Sequence, residues 1–165
     1  MADLVEGKKV MVAIDESEAS YYALIWVLEN LKEVLVNTNL VIFAAVPEPN
    51  YTQSIAATFS SARLYSMAAT APELAISVQE QQKKVVLGLL EKAKSICTGR
   101  GVKAETVMET GDAKLAICVA VEKYNISMLI LGDSGFGRIH RALVWSVGSY
   151  CVQYAKCSVV VVKRP

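Results

Sequence analysis

Short runs of β-branched and aliphatic residues alternate along this chain with longer stretches whose apolar positions recur at three- and four-residue spacing. The first run, Lys8–Ile14, alternates and is rich in valine, which predicts a strand. Asp15-Glu16-Ser17 then offers side-chain caps for a helix over Glu18–Leu31, with Ala23, Val27 and Leu31 on its apolar stripe. Leu40–Val46 is nearly all apolar, the pattern of a strand buried on both faces, and Pro47-Glu48-Pro49 ends it. Glu73–Cys97 predicts a long helix with Val78, Val85, Leu89 and Ala93 along one side and Gly99 as its stop. Val102–Met108 alternates as a third strand. Gly111-Asp112 caps the next helix, in which Leu115, Val119 and Glu122 follow at helical spacing. Ile126–Leu131 reads as a fourth strand, Ser146–Ala155 as the core of a last helix and Ser158–Lys163 as a fifth strand.

Strands that alternate with helices predict an α/β fold, a five-stranded and mostly parallel sheet with helices on both faces and right-handed crossovers. Ligands of such sheets bind beyond the carboxyl ends of the strands, where the strand order reverses. The chain shows no internal repeat, and residues 1–165 read as one domain. Residues 47–72, rich in Ser, Ala and Thr, form a connection of a length that is usually mobile or functional. A short helix near Ser61–Met67 is the alternative there.

Composition removes several function classes. A hydrophobic fraction of 53% with 20% charged residues describes a packed globular protein rather than a disordered one. Acids and bases are interspersed and the net charge is +1, so nothing favours nucleic acid or an anionic membrane. No apolar run approaches the roughly 20 residues of a membrane span. The start of the chain lacks the pattern of a secretory signal, and the expected location is the cytoplasm. Cys97, Cys118, Cys151 and Cys157 lack CxxC spacing and there is a single histidine, so neither a zinc centre nor any other metal site is expected. The expectation is reduced thiols acting as small apolar groups, with a redox role for Cys151 and Cys157 as the lesser alternative.

The chemistry concentrates after the fourth strand, in Gly132-Asp133-Ser134-Gly135-Phe136-Gly137. Glycines there let the backbone approach a ligand, and a following helix start offers free N–H groups and partial positive charge to phosphate. The spacing matches neither the Rossmann fingerprint nor a P-loop. Arg138, His140 and Arg141 read as a solvated basic face. His140 has no carboxylate or nucleophile beside it in sequence, so no catalytic residue is assigned.

Several segments together resemble the universal stress protein family, in particular its plant branch. The family's nucleotide motif is Gly, two residues, Gly, nine residues, then Gly-Ser/Thr. Gly132 and Gly135 match it, Phe136 to Val144 supply the nine residues, and Trp145-Ser146 stands where Gly-Ser/Thr is expected. Val10-Met-Val-Ala-Ile-Asp15-Glu-Ser17 resembles the family's first strand and its adenine-side aspartate. Thr110-Gly-Asp112-Ala and Cys157-Ser-Val-Val-Val-Val162 resemble later segments.

The resemblance implies a Rossmann-like, adenine nucleotide alpha hydrolase-like domain that binds ATP or AMP, with or without Mg2+. It places Ala13, Ile14 and Asp15 near the adenine or ribose, and Ala44 against the base. Gly132, Gly135 and Gly137, following Leu131, would wrap ribose and phosphates, with Trp145, Ser146 and Val147 at the phosphate-binding helix start. It also implies a homodimer through the edge strand Val159, Val160, Val161 and Val162, with hydrolysis absent or slow. The chain departs from the family pattern at Trp145, at Gly148 where a hydroxyl is common, and at Asp133-Ser134, which bring a negative charge. The alternative reading is therefore a degenerate, non-nucleotide-binding interaction or chaperone-like dimer.

Overall fold

The computed structural model describes residues 7–48, 72–133 and 146–165. The expected short helix near Ser61–Met67, and all but the ends of the 47–72 connection, lie outside the described residues. Strand β1 (Lys9–Ala13) leads into helix α1 (Glu18–Asn30), short helix α2 (Lys32–Asn37) and strand β2 (Asn39–Val46). Then come α3 (Pro72–Gly99), β3 (Ala104–Thr110), α4 (Ala113–Lys123), β4 (Ile126–Gly132), α5 (Val147–Tyr154) and β5 (Ser158–Val162).

The strands form one sheet in the order β3-β2-β1-β4-β5, and every pairing is parallel. The expected mostly parallel sheet is thus wholly parallel among the described residues. Strand order reverses beside β1, which continues outward to β2 and β3 on one side and to β4 and β5 on the other. β1 is the central strand and is buried throughout Val10–Ala13. Its even-numbered side chains, Val10 and Val12, pack with Leu24, Val27, Leu40, Ile42 and Ile130 under α1 and α3. Its odd-numbered ones, Met11 and Ala13, pack with Val41, Phe43, Ile117 and Leu129 under α4 and α5. The period of two along each strand separates these layers.

Three details correct the sequence expectations. β3 begins at Ala104 rather than Val102, because the Val102 N–H donates to the Cys97 carbonyl at 2.9 Å and closes the end of α3. The buried stripe of α3 runs through Val86, Leu90, Ala93 and Cys97, while Val78 and Val85 are exposed. In α4 the buried face is Ile117, Ala120 and Val121, and Leu115 and Val119 point to solvent. Helix α2 was not anticipated, since none of its residues is buried and no apolar stripe marks it.

Among the described residues β5 pairs only with β4 and forms an edge of the sheet. The Val162 carbonyl accepts from the Asp133 N–H at 2.8 Å on the β4 side. Peptide groups of successive strand residues point in opposite directions, so Val159 and Val161 direct theirs outward.

Candidate functional site at the carboxyl edge

Each strand of a parallel sheet hands over to its helix at the same edge, which gathers the starts of α1, α4 and α5 there. Helix starts leave backbone N–H groups unpaired and carry partial positive charge. The β1–α1 turn is the best-defined piece. The Ser17 N–H donates to Asp15 Oδ1 at 2.8 Å, and Ser17 Oγ caps α1 by accepting from the Ser20 N–H at 3.2 Å. Ser17 is therefore the cap, and Asp15 braces the turn from in front while its side chain stays exposed.

Ser20 is the buried polar residue of the described core, 5% exposed. Its Oγ accepts from the Asp15 N–H at 3.0 Å, and its O–H is shared between the carbonyls of Asp15 (2.9 Å) and Ser17 (3.1 Å). One hydroxyl thus closes the turn on itself. Burying it without these partners would be unfavourable by about 1–3 kcal/mol, which explains why a polar side chain survives at this depth.

Gly132 ends β4 directly against this turn. A Cβ on Gly132 would collide with the Ala19 carbonyl and lie 2.8 Å from the Ser20 nitrogen. The absence of a side chain at this position is required by the seat of α1 on the sheet, a reason distinct from approach to phosphate. Gly148, in the first turn of α5, is different, since among the described residues a Cβ there would meet only Ser146 Oγ and Val161 Cγ2 at 3.9 Å each.

A crevice of about 110 Å³ opens at the meeting point of β1, β2, β4, α4 and α5. Ala13, Ile14 and Asp15 line it from β1 and its turn, Leu131 and Gly132 from β4, and Val147 and Gly148 from α5. On the other side of the same turn lies a cavity of about 530 Å³, bounded by Ile14, Asp15, Ala44, Pro47, Val86 and Leu89. Small-molecule sites span roughly 300–1,000 Å³, so the crevice alone is small and the larger cavity falls within the range. Ile14, Asp15, Ser17 and Ala45 border both.

Seven of the eleven residues expected at a ligand site therefore gather here: Ala13, Ile14, Asp15, Ala44, Leu131, Gly132 and Val147. Ser146 stands next to them as the cap of α5, its Oγ accepting from the Ser149 N–H at 3.1 Å. Gly135, Gly137 and Trp145 lie outside the described residues, as do Ser134, Arg138, His140 and Arg141.

Sequence reasoning missed Phe43 and Ala45, which line the crevice from β2, and Ala113 and Ile117 from α4. The pairing of β2 with β1 places the first two there, and that register is not written in either strand alone. Ala13 pairs with Phe43, so odd-numbered residues of both strands share one face.

Charge around the edge is mixed. Arg164 Nη1 donates to Glu18 Oε2 at 2.9 Å and ties the segment after β5 to the first turn of α1. The Lys114 ammonium, bonded to Asp112 at 2.9 and 3.0 Å, holds that carboxyl below its ordinary value. Among the described residues no group of three or more His, Cys, Asp or Glu side chains is arranged to hold a metal ion. Nor is any described helix long and apolar enough to cross a membrane.

Comparison with known proteins agrees with this architecture. The universal stress protein A-like protein of Arabidopsis thaliana is 29% identical over 172 residues, covering 96% of this chain and 91% of its own. The structure of the universal stress protein UspA from Lactobacillus plantarum superposes with a TM-score of 0.73 at 18% identity, over 94% of this chain and 97% of the other. A universal stress protein family protein from Arabidopsis thaliana, solved with AMP bound, gives a TM-score of 0.66 at 24% identity, over 96% and 92%. The family model described as the universal stress protein family matches residues 7–163, and the chain belongs to that family.

Proposed function

We propose that this chain is a nucleotide-binding stress-response module that holds AMP or ATP at the carboxyl edge of its sheet and acts through occupancy rather than catalysis. The observation that carries the reading is the convergence on Asp15. This carboxylate stands between a cavity of about 530 Å³ with apolar walls and a crevice bounded by the first turn of α5. The base would occupy the larger cavity against Ala44 and Val86, with the ribose at Asp15. The phosphates would turn toward Gly132 and the N–H groups at Ser146 and Val147. The AMP-bound Arabidopsis relative supports this class of ligand. Mg2+ would arrive with the phosphates of ATP, since no cluster of protein ligands is on offer among the described residues.

Calorimetric titration of nucleotide-stripped protein with AMP and with ATP tests the reading. Binding on the order of micromolar is expected, and Asp15→Ala should weaken it about tenfold or more, or about 1.4 kcal/mol. Absence of heat up to millimolar nucleotide would overturn it. Trp145→Gly, which restores the family glycine, then decides the second reading, and binding gained in that variant alone would identify a site closed by Trp145.

The second part of the proposal is a homodimer formed through β5. Its outward peptide groups at Val159 and Val161 form an edge of β-branched residues that is unpaired among the described residues, which favours pairing with a second copy. Val161→Pro removes an outward N–H and leaves the β4 ladder intact. Sedimentation equilibrium should show a dimer for the parent chain and a monomer for this variant. A parent chain that is monomeric at high micromolar concentration would refute the pairing.

A further inference from the structure

Three of the four cysteines collect on one side of the sheet. Cys151 of α5 is 0% exposed, and Cys118 of α4 and Cys157, which precedes β5, are half-buried against the same apolar layer. Cys97, on the buried stripe of α3, lies in the opposite layer. Helices α4 and α5 pack against each other, and Cys118 and Cys151 both belong to the apolar layer beneath them. All four thiols are free.

We propose that Cys118 and Cys151 form an oxidisable dithiol that peroxide converts to a disulfide joining α4 to α5. Cys118 is the partner that solvent reaches. Its thiolate attacks one peroxide oxygen, so that an S–O bond forms, the O–O bond breaks and hydroxide leaves to be protonated to water. The Cys151 thiolate then attacks the Cys118 sulfenic sulfur, the S–S bond forms, the S–O bond breaks and a second water departs. Two thiols are oxidised by two electrons in all, and one hydrogen peroxide is reduced to two waters.

Burial pushes Cys118 up and Cys151 to about 12, so few thiolates exist near neutrality and the first step is slow. The pair is thus set to respond to sustained oxidant rather than to a brief pulse. The second step is intramolecular, between thiols of two packed helices in one apolar layer, which favours closure over further oxidation. The bond would clamp together two helices whose first turns, at Ala113 and Val147, line the crevice.

The test incubates the full chain with millimolar hydrogen peroxide, alkylates it under denaturing conditions and digests it without reductant. The expected result is a peptide cross-linked through Cys118 and Cys151 that dithiothreitol reverses completely. Cys118→Ser, a change at a half-buried position that leaves Cys151 in place, should abolish this species, and Cys157→Ser should retain it. A cross-link that uses Cys157 or joins two chains would overturn the proposal. So would oxidation confined to single sulfinic acids, or thiols that all remain open to alkylation.

Discussion

Gly132→Ala should destabilise the fold by about 3 kcal/mol or more, a large share of the roughly 5–15 kcal/mol that holds a domain of this size together. The added methyl group meets backbone, the Ala19 carbonyl and the Ser20 nitrogen, and neither can swing aside as a side-chain tip would. Relief requires lifting the start of α1 from the sheet, which also breaks the Ser20 bonds that close the β1–α1 turn. Urea denaturation of the two proteins measures the difference, with Gly148→Ala as the control, since its methyl group has ordinary room. A change within about 0.5 kcal/mol, the range of an unremarkable surface substitution, would show that α1 is not seated as described.

Phe43→Ala should be comparably severe, at about 3–5 kcal/mol. Phe43 is 1% exposed and belongs to a strand paired on both sides, so its surroundings collapse poorly around a void. Its ring packs with Met11, Ile117 and Leu129 below the crevice floor, and truncation should enlarge that crevice while lowering the denaturation midpoint. A loss below about 1 kcal/mol would mean that this layer repacks freely.

These residues also show where sequence reasoning reached and where it stopped. β1 was legible from its valine-rich alternation, and β2 and β4 as apolar runs, the pattern of inner strands of a parallel sheet. β3 was misplaced by two residues because Val102 suits a strand by composition but spends its N–H on the Cys97 carbonyl. The helix faces were the weakest inference. α4 reads Ala-Lys-Leu-Ala-Ile-Cys-Val-Ala-Val, apolar nearly all round, so periodicity could not separate buried Ile117 and Val121 from exposed Leu115 and Val119.

At the candidate site, Gly132 was singled out by its glycine-rich loop and Asp15 by its place at the carboxyl end of the first strand, both also carried by the family resemblance. The physical reason for Gly132 was invisible, because Ala19 is remote in sequence and meets it only after β1 and β4 have paired. Phe43 and Ala45 were missed for a related reason, since the parity of β2 relative to β1 is fixed by a register that no single strand reveals.

The parallel sheet gives the two ends of the described chain unequal surroundings. β1 is entered at Lys9, on the edge away from the crevice, whereas β5 is left at Val162, on the crevice edge, where Arg164 grips Glu18 in the first turn of α1. A fluorophore attached at Lys163 would therefore report on what happens at Asp15 and its cavities, and one attached at Lys8 would serve as its silent reference.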